Sequence, residues 1–282
     1  MDLEGRAFAG GIRPPVLMGV VNVTPDSFHP GSRSIDSVHA VSRGISMMED
    51  GASIIDIGGE STRPGAMPVG IGEELSRTIP VIEGILQERP DAFISIDTSK
   101  PKVAIEALRK GCRMINDVTG AENKEMIDLI ADAGAQICVM HMKGGPRTMQ
   151  VDPRYDDVVS EVGAYLSGRV NALIEAGISP RNILVDPGIG FGKRLEDNIA
   201  LLRAGREVVP REDVRLLWGV SRKRMFLDLL GRKDSNDRLF GTLGVAASAV
   251  YSGVDVLRVH DVLEHADLLK AMTSTIRGPM DE

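Results

Sequence analysis

The sequence alternates eight times between a short apolar segment and a longer segment with the periodicity of a helix. The apolar segments, each ending in polar residues, are Val16–Asn22, Ser53–Glu60, Phe93–Asp97, Arg113–Asp117, Gln136–His141, Ile183–Asp186, Arg215–Ser221 and Val256–His260. Strands that alternate with helices pair in parallel, and eight such units close into a (β/α)8 barrel whose functional groups gather at the carboxyl ends of the strands. We therefore predict one α/β domain over residues 1–282, with a TIM-barrel core at about 16–273.

The segments between the predicted strands carry helix patterns and helix stop signals. They are Ile35–Asp50, Glu73–Arg89, Lys100–Lys110, Lys124–Ala133, Asp156–Ala176, Arg194–Val208, Lys223–Leu230 with Arg238–Ser252, and Val262–Ile276. A glycine suited to a left-handed cap follows five of them, at Gly51, Gly111, Gly134, Gly177 and Gly253. Two connections, residues 22–34 and 58–72, are long and rich in Gly, Pro, Ser and Thr, which is typical of lids or binding loops, with a plain surface connection as the alternative.

Charge, hydropathy and cysteine content indicate which binding partners and which cellular compartment to expect. A formal net charge of -7 argues against nonspecific binding to nucleic acid or to an anionic membrane. The N-terminus has no targeting pattern, and no segment approaches the ~18 apolar residues of a membrane span. Cys112 and Cys138 both lie in apolar segments, which favours free buried thiols over a disulfide. We expect a cytoplasmic protein.

Three polar residues stand where buried strands end. Asp97 and Asp186 follow apolar runs, where a carboxylate is costly unless it is paired, and Asn116 adds a donor and an acceptor. Together these groups suit a flat heterocycle with amino and ring N–H edges. Helix capping is the alternative, although Thr98 and Pro101 already supply helix-start chemistry after Asp97.

The glycine-rich segment Asp186–Lys193 resembles a nucleotide loop but fails both tests. Pro187 and Arg194 occupy places that a Walker A motif reserves for Gly and for Ser or Thr, and Lys193 replaces the last Gly of the dinucleotide fingerprint. We interpret its glycines, Gly192 among them, as letting the backbone approach a planar ligand, with Phe191 packing on it.

Basic residues follow the last two strands, where barrels of this kind often bind phosphate. Arg258 and His260 alternate onto one strand face, so both can reach a single anion, and Ser221, Arg222 and Lys223 follow the seventh strand. The alternatives are solvated surface charge for Arg222 and Lys223, and an aldolase-type Schiff base at Lys223.

His141 has no zinc-ligand spacing to another His or Cys, so the sequence favours a core histidine or one that supports other site residues. The neighbouring methionines at 140, 142 and 149 are typical of core or pocket wall.

Eight motifs, in order and spacing, resemble the dihydropteroate synthase family over about Val16 to Thr273. They are NVTPDSF (22–28), IIDIGGESTRPGA (54–66), SIDT (95–98), INDV (115–118), MHMKGGPRTMQ (140–150), DPGIGFGK (186–193), SRK (221–223) and RVHDV (258–262). The resemblance implies condensation of 6-hydroxymethyl-7,8-dihydropterin pyrophosphate with p-aminobenzoate, a step of folate synthesis that sulfonamides inhibit.

The resemblance also implies roles for individual residues. Asp97, Asn116 and Asp186 would hold the pterin edge, with Lys223 near its carbonyl and Met140 and Phe191 against its faces. Arg63, Arg258 and His260 would bind the pyrophosphate, and Asn22 would coordinate Mg²⁺. Thr62, Pro64, Phe28 and Ser221 would frame the aminobenzoate. Lys223, Arg258, His260 and Asp97 are the implied catalytic residues.

The chain departs from the family pattern at two places. Phe240 replaces the usual Pro, and His29–Pro30 replaces Ser-Asp in the first long loop. Neither is an implied catalytic position. Small residues in Gly241–Ser252 suit close helix packing, either between subunits or on the chain's own barrel. The family resemblance favours a homodimer.

A pterin-dependent methyltransferase and a noncatalytic pterin-binding paralogue are the alternative functions.

Overall fold

A closed ring of eight parallel strands forms the centre of the molecule, in the order β1 to β8. The computed structural model describes residues 14–23, 33–61, 66–145, 149 and 151–276. The strands are β1 Val16–Asn22, β2 Ala52–Gly58, β3 Ile94–Asp97, β4 Met114–Asp117, β5 Gln136–Met140, β6 Ile183–Asp186, β7 Arg215–Trp218 and β8 Val256–Val259. The predicted (β/α)8 barrel is confirmed.

Helices surround the ring. They are α1 Arg33–Glu49, α2 Ile71–Glu88, α3 Pro101–Arg109, α4 Lys124–Ala133, α5 Val158–Glu175, α6 Leu195–Ala204, α7 Met225–Leu230, α8 Leu239–Ala249 and α9 Val262–Ile276. The five glycines predicted to end helices all have positive φ. The helix predicted to run to Val208 instead ends at Ala204, because Gly205 has φ +52° and lies against Ser252, where a Cβ would approach to 3.0 Å.

The side chains inside the ring form an apolar layer beneath a polar one. The apolar layer consists of Met18, Ile54, Phe93, Met114, Cys138, Leu184, Leu217 and Val256. Because strand side chains alternate between faces, the next inward positions, two or four residues further on, include Asp56, Asp97, Asn116, Asp186 and Arg258. The dry layer thus supports a set of buried polar groups at the carboxyl ends of the strands.

Cys112 and Cys138 are free and buried, as expected, and burial raises the pKa of both thiols. None of the helices in the described part of the chain is both long enough and apolar enough to cross a bilayer.

Candidate active site

Parallel register brings the predicted pterin ligands to one rim of the barrel. Asp97 pairs with Gly58 on one side and with Asn116 on the other, while Asp186 pairs with Met140. The side chains of Asp97, Asn116 and Asp186 are only 5–8% exposed. The three polar residues therefore converge as the sequence predicted.

Arg258 occupies the centre of a partly buried ionic network. Its Nε donates to Oδ2 of Asp56 at 2.7 Å, and its Nη2 donates to Oδ2 of Asp97 at 2.7 Å. Asn116 Nδ2 donates to the same Asp56 oxygen at 3.0 Å. One guanidinium thus bridges two carboxylates that stand on the inner faces of β2 and β3.

Sequence reasoning missed Asp56, which is fully buried. The signal was present, because Asp56 lies two residues before the end of an apolar strand and the inward-facing Arg258 needed an acidic partner. The second oxygen of Asp56, Oδ1, has no hydrogen-bond partner among the described residues.

Burial and the neighbouring charges both shift the pKa values of Asp97 and Arg258 in this network. Burial raises the pKa of Asp97 to about 7, against the opposing effect of Arg258. Burial by itself would lower the pKa of Arg258, but the carboxylates of Asp56 and Asp97 raise it above its usual value. Arg258 therefore stays charged, while Asp97 changes its protonation state near neutral pH.

A second charged pair lies across the rim. Burial raises the pKa of Asp186 and lowers that of Lys223 to about 8, and each group opposes the shift of the other. A Cβ at Gly219 would lie 3.4 Å from Asp186 Oδ2 and 3.7 Å from Lys223 Nζ, so the glycine leaves room beside both charges. Lys223 Nζ also lies 4.5 Å from the centre of the Phe191 ring.

Asp186 has a local structural role as well, because its Oδ1 accepts a hydrogen bond from Gly188 N at 2.7 Å. This bond orders the loop after β6. Helix capping was the alternative role for Asp186. One of its oxygens does bind a backbone amide, but that amide belongs to a loop and not to a helix end.

The glycines of the loop after β6 allow close approach to protein. A Cβ at Gly188 would lie 1.9 Å from the carbonyl oxygen of His141, and one at Gly192 would lie 2.3 Å from that of Lys143. Both glycines have positive φ. Both close approaches in the structure are to the segment after β5, and the approach of this backbone to a planar ligand stays a prediction.

Ser221 and His260 meet next to this rim. His260 Nδ1 lies 3.0 Å from Ser221 Oγ, which also accepts from His260 N at 3.2 Å. Burial lowers the pKa of His260 to about 4, so the ring is neutral at physiological pH. It offers a hydrogen bond there rather than a charge.

The Arg222 side chain is paired with Asp261 and Asn236. Its Nε donates to Asp261 Oδ2 at 2.9 Å, its Nη1 donates to Asn236 Oδ1 at 2.8 Å, and its φ is +56°. A non-glycine residue in this region is uncommon and is found where the surroundings hold it in place. Arg222 thus ties the segment after β7 to the one after β8.

Asn22 lies at the same rim. A Cβ at Gly58 would be 3.8 Å from Asn22 Oδ1 and 3.7 Å from Asp97 Oδ2, which places both oxygens beside the end of β2. Within the described ranges, no three His, Cys, Asp or Glu side chains converge as a metal site. Phe28, Thr62, Arg63 and Pro64, like His29–Pro30, lie outside the described residues.

Comparison with known proteins matches this geometry to a family. Residues 18–260 match the family model described as pterin binding enzyme. The chain is 43% identical over 276 residues to dihydropteroate synthase of Escherichia coli K12, covering 98% of this chain and 97% of the relative. The chain belongs to the dihydropteroate synthase family. Two solved structures of the Xanthomonas albilineans enzyme are similar to it. The one with 4-aminobenzoic acid has TM-score 0.87 and 41% identity over 94% of each chain, and the one with 7,8-dihydropteroate has TM-score 0.85 and 38% identity over 99% of each.

Proposed function

We propose that this chain, a transferase of folate biosynthesis, joins 6-hydroxymethyl-7,8-dihydropterin pyrophosphate to p-aminobenzoate and releases pyrophosphate before the amine attacks. The observation that carries the proposal is the convergence of the buried residues Asp97, Asn116 and Asp186 beside the half-buried cations Lys223 and Arg258. Carboxylates accept from the N–H edge of a pterin, and the cations suit its anionic tail.

The pterin lies over the apolar layer of the barrel in this proposal. Asp97, Asn116 and Asp186 bind its nitrogen edge, Lys223 donates to its carbonyl, and the faces pack on Met140 and Phe191. The buried position of Met140 and the ring contact of Phe191 with Lys223 support this arrangement. Gly192 gives the loop its path past Lys143.

The leaving group is bound by Arg258 and His260, together with Arg63 from the second long loop. Arg258 is held at the rim by Asp56 and Asp97. Asn22 suits Mg²⁺, since this ion binds oxygen ligands and takes only one or two protein groups beside substrate phosphates. When bound there, Mg²⁺ would neutralise negative charge on the departing pyrophosphate.

The C–O bond breaks first because the electron-rich dihydropterin delocalises the methylene cation that forms, and the electron pair leaves with pyrophosphate. The weakly nucleophilic aminobenzoate nitrogen then forms the new C–N bond and loses a proton. Thr62, Pro64, Phe28 and Ser221 hold the amine near the cation, so catalysis depends on proximity and on exclusion of water. Trapping of a covalent Lys223 adduct, or exchange of pyrophosphate by a ping-pong scheme, would contradict this order.

Pyrophosphate release coupled to a colorimetric readout tests the activity, with both substrates present and with each omitted, and with and without Mg²⁺. We expect release only when both substrates are present, and 7,8-dihydropteroate as the second product. Methyl transfer from a reduced folate to a corrinoid, with no pyrophosphate release, would establish the methyltransferase alternative. Pterin binding without turnover would establish a noncatalytic paralogue.

From the pKa values of Asp97 and Lys223 we predict a narrow pH optimum for kcat/KM of the pterin substrate. As pH rises through about 7, Asp97 loses its proton and becomes a full acceptor, so kcat/KM increases. As pH rises through about 8, Lys223 loses its proton and one donor, so kcat/KM decreases. A pH profile from 5.5 to 9.5 checks this, since kcat/KM reports groups of the free enzyme. Asp97→Asn should remove the acidic limb and keep the alkaline one; a flat wild-type profile would contradict the assignment.

A homodimer built on α8 is part of the proposal. Phe240, Gly244, Ser248 and Tyr251 are exposed at helical spacing, and Phe240 is 84% exposed. Nothing lies within 4 Å of a Cβ placed on Gly244, whereas one on Gly241 would lie 2.7 Å from Phe226 of the same chain. Gly241 thus serves packing of the helix on its own barrel, and the open side at Gly244 supports the proposed packing between subunits.

Phe240→Asp should convert a dimer to a monomer, because it places a carboxylate in the centre of a close-packed apolar contact. Light scattering at micromolar concentration measures the mass. Val38→Asp is the matched control, since Val38 is 62% exposed on α1. A monomeric wild type, or a dimer that survives Phe240→Asp, would reject this interface.

A cytoplasmic location completes the proposal. It is supported by the two free buried thiols, which are typical of a reducing compartment.

A further inference from the structure

Lys193, the last residue of the glycine-rich loop, is a buried lysine whose N–H groups all have hydrogen-bond acceptors. Its side chain is 4% exposed. Nζ lies 2.9 Å from the Gly188 carbonyl oxygen, 3.1 Å from that of Phe191, 3.3 Å from that of His141 and 2.9 Å from His141 Nδ1. An ammonium has three N–H donors, so each of them finds an acceptor and one is shared.

These contacts join two segments of the site. The carbonyl groups of Gly188 and Phe191 belong to the loop after β6, whereas His141 follows β5. Because Lys193 donates, His141 Nδ1 is the acceptor and its ring is neutral; burial lowers the pKa of His141 to about 3, and the charge of Lys193 adds to that effect. The side-chain amine of Lys193 therefore connects the loop after β6 to His141.

The loop that Lys193 holds is the one that engages Lys223. The amine of Lys223 donates to the Ile189 carbonyl oxygen and lies over the Phe191 ring. Asn198 braces the opposite side of the loop by accepting from Gly190 N at 2.7 Å. Loss of the Lys193 bridge would remove the tie between His141 and the carbonyl groups of Gly188 and Phe191, which lie on either side of Ile189 in the chain.

A buried ammonium is costly unless it is fully hydrogen-bonded. Burial lowers the pKa of Lys193 to about 7, with Asp186 opposing that shift. The charged groups around it are Asp186, Asp197, Lys223 and Lys143. A neutral apolar side chain would avoid this cost, so the contacts of the ammonium are what favour lysine here.

We propose that Lys193 is a positioning residue, whose side-chain amine holds the loop after β6 against the end of β5 and so places Phe191 and the Ile189 carbonyl around Lys223. The inference rests on the proposed pterin site, in which Lys223 and Phe191 contact the ring. Lys193 itself acts through these two residues and needs no contact with substrate.

A double-mutant cycle tests the inference. Lys193→Met keeps the length of the side chain and removes its donors; we expect KM for the pterin substrate to rise at least tenfold, with KM for p-aminobenzoate changed less than threefold. In a Lys223→Ala background the same substitution should raise the pterin KM less than threefold, because its target is gone. Lys124→Met, at an exposed lysine paired with Asp128, is the matched control and should change neither KM.

The outcomes separate the two proposals. If Lys223→Ala leaves the pterin KM unchanged, the proposed site is wrong. If Lys223→Ala raises it but Lys193→Met does not, or if Lys193→Met has the same effect in both backgrounds, Lys193 does not act through Lys223. Thermal unfolding establishes that each variant is folded. If Lys193→Met does not fold, Lys193→Gln, which keeps a shorter neutral donor, is put through the same cycle with the same criteria.

Discussion

Arg258→Met is expected to lower kcat/KM for the pterin substrate on the order of 10³-fold and to destabilise the fold by about 3–5 kcal/mol. Asp56 and Asp97 both lose the 2.7 Å partner that neutralises them. Two buried carboxylates without a cation do not both stay ionised, so the pKa of Asp97 rises above about 7 and at neutral pH one of its two acceptor oxygens becomes an O–H donor. The pyrophosphate loses a cation in the same step.

Steady-state kinetics and urea unfolding measure the two effects of Arg258→Met separately. Adding Asp56→Asn should recover much of the stability, because one buried charge is removed, and should leave kcat/KM low. Arg211→Met is the control, since Arg211 pairs with Asp213 at 2.8 Å on the surface, where solvent screens such a pair and its loss should leave stability almost unchanged. A folded Arg258→Met enzyme with kcat/KM within tenfold of wild type would remove Arg258 from the mechanism.

Asp186→Asn should weaken pterin binding by about 10²- to 10³-fold with little loss of stability. The substitution is isosteric, and the amide oxygen can still accept from Gly188 N, which is 2.7 Å from Asp186 Oδ1 in the wild type. The other oxygen becomes an NH₂ donor. If the pterin presents N–H groups there, donor meets donor and Lys223 loses its counter-charge.

Calorimetric titration with the pterin substrate measures this affinity without turnover. Asp128→Asn is the matched control at an exposed carboxylate paired with Lys124, and it should bind as wild type does. An Asp186→Asn enzyme that binds the pterin within threefold of wild type would show that this carboxylate orders its loop and nothing more.

Local patterns predicted the fold because strand and helix periodicities are properties of neighbouring residues. They also predicted the rim residues Asp97, Asn116 and Asp186, since a polar residue that ends an apolar run is visible in the sequence. The ends of strands were predicted less well. The strands predicted to reach Glu60 and Ser221 end at Gly58 and Trp218, because the backbone turns into the rim loops there and leaves the ladder.

The repeating strand and helix pattern specifies the barrel, the rim on which the site lies and the types of group that gather there. The pairing of those groups follows only from the folded barrel. Asp56 and Arg258 are 202 residues apart and meet only because closure of the ring sets β8 and β2 on either side of β1. Likewise, Lys193 ends a motif that resembles a phosphate loop, and only its burial beneath that loop shows that it binds protein carbonyl groups. Ion pairs and pKa shifts depend on distance and solvent exclusion across the ring, which no local pattern encodes.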